Sequence, residues 1–294
     1  MKYQLTIGNR LYFSWSIAAV MMIEHAGLME LVDITTVYPD HEADVRPRIP
    51  HLAPARTLPT LTLPCGTQLG DSMAMAEELA NRHPDRNMWP EDPKARAIAR
   101  YLANEMHSSF GALRSSWPVN LRHSYKGLTA PEDVQAELDR LELIWTHARQ
   151  TTGSRTPWLC CEYSIADAIY APMATRLTTY GFELGPTSQA YVSAHLSDPA
   201  LRRLRAAGLA KGAVVQDCER DFERAHWPFV PPQIGTATQD GSQTVNTHCP
   251  YSGTPVEHFM RLGDHTYGFC SAMCRDKTMY DPEAWPEFMG IYQS

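Results

Sequence analysis

Apolar positions along the chain first alternate and then recur with helical spacing, and that change divides the sequence. Tyr3 to Ile7 predicts a short strand. The loop Gly8–Phe13 leads into Ser14–Gly27, apolar on nearly every face, which suits a helix buried against a sheet with Gly27 as its stop. Leu31–Val37 predicts a second strand, and the Pro-rich stretch Pro39–Ala55 a loop with at most a short helix. Leu58-Pro59-Thr60-Leu61-Thr62-Leu63 resumes the alternation and turns around Pro64-Cys65-Gly66. It yields at Asp71-Ser72 to a helix running to about Arg82. The order is β-α-β, a loop, then β-β-α. His83-Pro84-Asp85 and Trp89-Pro90-Glu91-Asp92-Pro93 then break the chain, and the pattern beyond them is helical. Ile98, Tyr101, Leu102, Met106, Phe110 and Leu113 recur at roughly 3.6-residue spacing, ending before Trp117-Pro118. Thr129-Ala-Pro-Glu132 predicts a capping box ahead of Val134, Leu138, Leu141 and Trp145. Ser164-Ile-Ala-Asp167 predicts another, opening a helix through Arg176. Pro199-Ala-Leu-Arg-Arg-Leu and the run Val214–His226 are expected as the last helices.

These breaks give domains at 1–84 and 85–227, a linker at 228–246 that is rich in Gly, Ser, Thr and Gln, and a tail segment at 247–294. A chain of 294 residues, 44% hydrophobic and 20% charged, is that of a soluble globular protein with room for two domains or slightly more. The net charge of −7 without a long basic run argues against nucleic acid or an anionic membrane as partner. No apolar stretch approaches the roughly 20 residues of a membrane span. Leu11–Ile23 follows Lys2 and Arg10 as in a signal peptide, but it runs into Glu24-His25 without a small-residue cleavage site, so a cytoplasmic protein is expected. Seven scattered cysteines do not suggest a disulfide framework in a chain this long.

Leu58-Pro59 followed by Asp71-Ser72 resembles the glutathione-binding signature of glutathione transferases, whose N-terminal domain is thioredoxin-like and whose C-terminal domain is all α-helical. The resemblance covers about residues 3–226. Trp89-Pro90-x-x-Pro93 and Glu105-Met-His-Ser-Ser-Phe-Gly-Ala-Leu-Arg114 look like a zeta-like bacterial group, and the Ser164–Asp167 box falls where such proteins nucleate their central helix. The resemblance implies that Leu58-Pro59 is cis, that Leu58 holds the cysteinyl part of glutathione by main-chain bonds, and that Asp71 and Ser72 hold the γ-glutamyl part. A helix N-terminus at Ser72 suits a carboxylate.

A transferase must stabilise the glutathione thiolate, since the thiolate is the nucleophile. A hydroxyl at the start of the first helix can donate to that sulfur. Tyr12, Ser14 and Ser16 are the candidates, with Ser14 the best. Relatives typically read Tyr-Ser-Ser-Trp-Ser where this chain reads Tyr12-Phe13-Ser14-Trp15-Ser16, so Phe13 departs from the pattern. Tyr12, His107 and Arg114 are expected to line the pocket for a small hydrophobic electrophile.

The tail adds Cys249-Pro-Tyr-Ser-Gly253, then Tyr267-Gly-Phe-Cys270-Ser-Ala-Met-Cys274. Two cysteines four apart share a helix face, and a third on a turn can converge on them, a clustering that suits zinc. A 48-residue segment is too small to build much core alone, so a metal staple would explain its folding. The spacing resembles the YHS/TRASH-type metal-binding domains, similar to treble-clef zinc folds. In many zinc knuckles the turn reads Cys-Pro-x-Cys-Gly; here Ser252 holds the second Cys position. His248, His258 and His265 are the available fourth donors and the sequence does not choose among them; His248 stands as the nominal one.

The expected whole is a glutathione-dependent transferase or isomerase, homodimeric as the resemblance implies, with zinc in its tail. The alternative is a non-catalytic glutathione- or metal-binding or sensing protein that reuses the fold.

Overall fold

The computed structural model describes residues 2–41, 45–229, 231 and 233–292. Residues 42–44 of the expected Pro-rich loop, and 230 and 232 of the expected linker, lie outside the described residues. The chain forms two compact units. The first runs to Leu196 and takes in Val214–Pro228; the second combines Ser197–Ala213 with the chain from Phe229 onward.

In the first unit, β1 (Tyr3–Ile7) pairs in parallel with β2 (Val32–Thr36), and the crossover between them is α1 (Ser14–His25). After a short helix, α2 (Val45–Arg48), β3 (Thr60–Thr62) joins the other edge of β1 antiparallel and β4 (Gln68–Leu69) follows, giving the order β2-β1-β3-β4. Leu5, Ile7 and Leu61 are fully buried, and α1 buries Ser16 through Ile23. That follows from a helix apolar on all sides, which must have neighbours on all sides. It packs against the sheet's helix α3 (Ser72–Arg82) and against α7 (Ile165–Tyr180).

The helical part comprises α4 (Pro93–Ser108), α5 (Gly111–Ser116), α6 (Glu132–Thr152), α7 and α8 (Pro186–Ser197), with the pair β5 (Ser124–Tyr125) and β6 (Arg224–Ala225). Asp167 accepts from the Ser164 N–H at 2.9 Å, as the capping box predicts, and also from the Leu159 N–H at 3.1 Å. Two expectations fail here. Helix α6 starts at Glu132 with Pro131 at its N-cap position and no side-chain cap, so Thr129 closes no box. Val214–His226 is not a helix but a 3₁₀ turn at Gln216–Cys218 and strand β6, because its backbone and side-chain polar groups bond across the unit rather than along a helix. The Tyr125 hydroxyl, for example, accepts from the Arg220 N–H at 3.0 Å.

The second unit contains α9 (Pro199–Lys211), β7 (Thr236–Thr238), β8 (His258–Leu262), β9 (His265–Phe269), α10 (Ala272–Tyr280) and α11 (Pro286–Met289). The sheet order is β7-β8-β9, all antiparallel, and α9 packs against α10. Met260, Tyr267, Phe269 and Phe288 form its core with the buried Ala206 of α9. The bidentate pair Arg202–Asp281, at 2.8 and 2.7 Å and with side chains only 13% and 7% exposed, ties the helix to the tail. So α9, expected in the helical domain, belongs with the tail, and the expected linker carries a strand. A Cβ on Gly235 or Gly241 would collide with Met260 or Phe259, so these glycines permit close packing.

Candidate functional site

A cleft of about 600 Å³ opens at the start of α1 in the first unit. Tyr12, Phe13, Ser14, Trp15 and Leu58 line it together with Arg114, Arg176, Arg220 and the carboxylate Asp217. The Leu58-Pro59 bond is cis, as expected. Of the residues expected to bind or react, the fold gathers Tyr12, Ser14, Leu58 and Arg114 around this cleft. Pro59, Asp71, Ser72 and His107 do not line it.

Ser14 is the first residue of α1, and Phe13 holds the N-cap position without a capping side chain. The Ser14 hydroxyl accepts from Arg176 Nη2 at 3.2 Å, which leaves its own O–H free to donate. Arg176 is 2% exposed, and its Nε donates to the Trp117 carbonyl at 2.6 Å. Burial pushes its pKa down to about 10, which still leaves the guanidinium charged at neutral pH. The other two hydroxyl candidates are committed elsewhere. Tyr12 donates to Glu219 Oε1 at 2.9 Å, and burial followed by the Glu219 charge holds its proton on. Ser16 is buried and accepts from the Gly8 N–H at 3.0 Å.

Arg114 donates to the carbonyls of His107 and Ser109 at 2.9 and 3.1 Å, a cation at the C-terminal end of α4, and lies 4.9 Å over the Trp15 ring. Arg220 donates to the carbonyls of Asp217 and Glu219 at 2.8 and 2.9 Å. No ion pair among the described residues engages Arg114, Arg176 or Arg220. Three cations without carboxylate partners therefore border one cleft, which is a different surface from the hydrophobic pocket expected. Arg176 and Arg220 were not foreseen. The signal for Arg176 was the lone basic residue in a helix otherwise uncharged past its capping Asp167.

Asp71 caps α3: its Oδ1 accepts from the Met73 and Ala74 N–H groups at 2.9 Å each, while His107 Nε2 meets Oδ2 at 3.0 Å. Ser72 is buried as the first residue of that helix. His107 thus acts as an Asp71 partner, with its ring 5.1 Å from Trp15, rather than as a wall of the cleft.

No protein-family model matches the chain, and no curated protein sequence matches it. Solved structures do. A glutathione transferase homolog from Burkholderia GL BGR1 with bound glutathione is 22% identical, over 71% of this chain and 99% of that one, with a TM-score of 0.53. A diazinon-metabolizing glutathione S-transferase of the silkworm, Bombyx mori, is 17% identical over 72% and 98%, with a TM-score of 0.54. Beta-etherase LigF from Sphingobium sp. strain SYK-6 is 17% identical over 69% and 98%, with a TM-score of 0.52. The fold is that of glutathione transferases. Within this glutathione transferase fold, Ser14 and Leu58 meet at the start of the first helix, beside a cleft bordered by arginines.

Besides the cleft, the chain holds a thiol cluster in its second unit. The sulfurs of Cys249, Cys270 and Cys274 lie within 4.8 Å of one another. Cys249 sits on a tight loop in which its carbonyl accepts from the Gly253 N–H at 2.9 Å, with Gly253 at φ 69°. Cys270 precedes the N-cap Ser271 of α10 and Cys274 follows in its first turn. The Cys270–Cys274 sulfur separation is 3.9 Å, and thiolates around a tetrahedral zinc at 2.3 Å stand about 3.8 Å apart. The donor set therefore fits such an ion. Ser252 donates to Cys270 at 3.3 Å, and this bond draws the Cys270 thiol down to about 7, while burial pushes Cys274 up. His248 does not join the cluster. It is exposed, its Nδ1 meets the Thr247 hydroxyl at 3.0 Å, and its backbone bridges to Pro255. Neighbours along extended chain point to opposite sides, so a buried Cys249 turns His248 outward. His258 and His265 also lie outside the cluster.

Proposed function

We propose that the first unit is a glutathione-dependent transferase or isomerase, with the zeta-like group as its subgroup. The observation that carries this reading is Ser14: a hydroxyl at a helix N-terminus, held by the buried Arg176, with its proton free, beside Leu58. In this reading Leu58 and Pro59 receive the cysteinyl part of glutathione, the α3 N-terminus at Asp71 and Ser72 the γ-glutamyl part, and Ser14 donates to the thiolate. Arg176 strengthens that donor. The bound glutathione of the Burkholderia structure supports the ligand class.

The arginines change the second substrate. Arg114 and Arg220, bonded to carbonyls and lacking ion-pair partners, favour an electrophile with an anionic group over the purely hydrophobic one expected. The test is turnover of a small electrophile bearing a carboxylate, compared in wild type and Ser14→Ala, with retention on glutathione-agarose measured beside it. Ser14→Ala is expected to lower kcat by about 10²-fold, the ordinary scale for one oxyanion-type donor, while retention stays. Unchanged turnover removes Ser14 from the role. Retention by both proteins without turnover favours the alternative of a non-catalytic binder or sensor, for which the thiol cluster is the specific observation.

The same proposal places zinc at Cys249, Cys270 and Cys274 in a treble-clef-like module, where a turn, the β8–β9 hairpin and α10 supply the elements. The ion would serve as a structural staple. Homodimerisation belongs to the proposal too, and light scattering on the purified chain tests it.

A further inference from the structure

We propose that a metal ion held by Cys249, Cys270 and Cys274 keeps its fourth coordination position open, and that a small thiol from solution fills it exchangeably. The inference rests on the reading of the cluster as a metal site. It starts from what the fold supplies and where supply stops. Three sulfurs converge, and no carboxylate or imidazole of the described residues joins them within 4.8 Å. The position where a fourth cysteine would complete the turn is Ser252, whose hydroxyl donates to Cys270 and meets the Thr254 hydroxyl at 2.8 Å. A neutral serine hydroxyl is not among the thiolate, imidazole and carboxylate ligands that zinc ordinarily takes.

The missing corner also faces water. Cys249 is 2% exposed and forms the floor of the site, whereas Cys270 and Cys274 are partly exposed and Ser252 is exposed. A closed structural site fills all four corners from the protein, and a site with three protein ligands leaves the fourth to an exchangeable one. With three soft thiolates already bound, a fourth soft donor suits the ion better than water does. The step conserves charge and electrons: the incoming thiol releases its proton to solvent, a water leaves the metal, and no group is oxidised or reduced. The N-terminus of α10, between Cys270 and Cys274, offsets part of the added negative charge.

Cobalt(II) in the full-length, metal-stripped protein reads both claims separately. Visible d–d absorption from tetrahedral cobalt is expected on loading; its absence overturns the metal reading itself. On adding glutathione, or 2-mercaptoethanol as the smaller probe, the sulfur-to-cobalt charge-transfer absorbance per bound cobalt should rise by about a third, the step from three thiolates to four. An unchanged spectrum overturns the open position, as does cobalt that leaves with the thiol on desalting. Ser252→Cys is expected to start at the four-thiolate level and ignore added thiol. A Ser252→Cys protein that still responds to thiol counts against the proposal. So does a wild-type spectrum that changes in His248→Ala, which would make that histidine the fourth ligand.

Discussion

At the residue scale, Phe13 illustrates how one substitution in a signature can leave a hydroxyl beside the cleft. Its ring lies where a Cβ on Gly8 would sit, and it packs against the cluster of Val45, Ile49, Leu52 and Leu58. The aromatic ring thus replaces a polar side chain by packing, and the hydroxyl beside the cleft is the next residue, Ser14. In the proposed reading the second substrate is met by other side chains. Among the described residues Arg220 bonds to the carbonyls of Asp217, Glu219 and Ser116 and not to Ser14 or Arg176, so it tests anion recognition apart from the proposed thiol activation. A hydrogen bond from a charged donor contributes about 1.5–3 kcal/mol, and at about 1.4 kcal/mol per tenfold Arg220→Met should raise KM for an anionic electrophile about 10- to 100-fold. KM for a neutral electrophile of similar size should stay within about twofold. Steady-state kinetics on the two substrates decides it; an equal rise in both assigns Arg220 to folding.

At the scale of elements, α7 carries the most information because its start is a buried carboxyl. Asp167 is fully buried, and burial pushes its pKa up to about 6 despite donors from Leu159 and Ser164. Its ordinary value is 3.8. Between those values the folded chain holds a proton that the unfolded chain has released, so the stability contributed by Asp167 is fully present below 3.8 and falls as pH rises through about 6. Asp167→Asn cannot ionise. The stability of wild type relative to this variant should therefore decrease by up to about 3 kcal/mol between pH 4 and pH 7, read by urea unfolding at each pH. A relative stability that increases over this range would show that the donors hold Asp167 ionised.

Elements also show what the sequence could disclose. Strand β1, helices α1 and α3 and the Ser164–Asp167 box were legible because each is a local pattern: an alternation, an apolar run, or a cap with its partner three residues on. Val214–His226 misled, because Glu219 accepts from Tyr12 and Asn120, far away in sequence, as well as from the nearby Arg224. Strand β7 hid in Gly- and Thr-rich composition, since its pairing with β8 is non-local and its flanking glycines make room for Phe259 and Met260. At the cleft, Ser14, Leu58 and Arg114 came from motif positions, whereas Arg176 depends on α7 packing against α1.

At the scale of the whole molecule, the proposed reading gives each unit its own ligand, and ligand linkage turns that into a measurement. A ligand stabilises only the fold that binds it, by about 2.7 kcal/mol when present at a hundredfold its Kd. Glutathione should therefore slow amide exchange in peptides from α1, α3 and α7. The three thiols occupy the second unit, whose core rests on Met260, Tyr267, Phe269 and Phe288, and in the proposed reading an ion held by them would add to that core's stability. Removing metal with a chelator should then speed exchange in β8, β9 and α10, and Cys274→Ala should reproduce the effect without chelator. Hydrogen exchange read by mass spectrometry assigns each change to its peptides. Chelation that leaves β8, β9 and α10 unchanged removes the staple. Glutathione that protects those peptides while leaving the α1 peptides unchanged places its binding site in the second unit and overturns the assignment to the cleft.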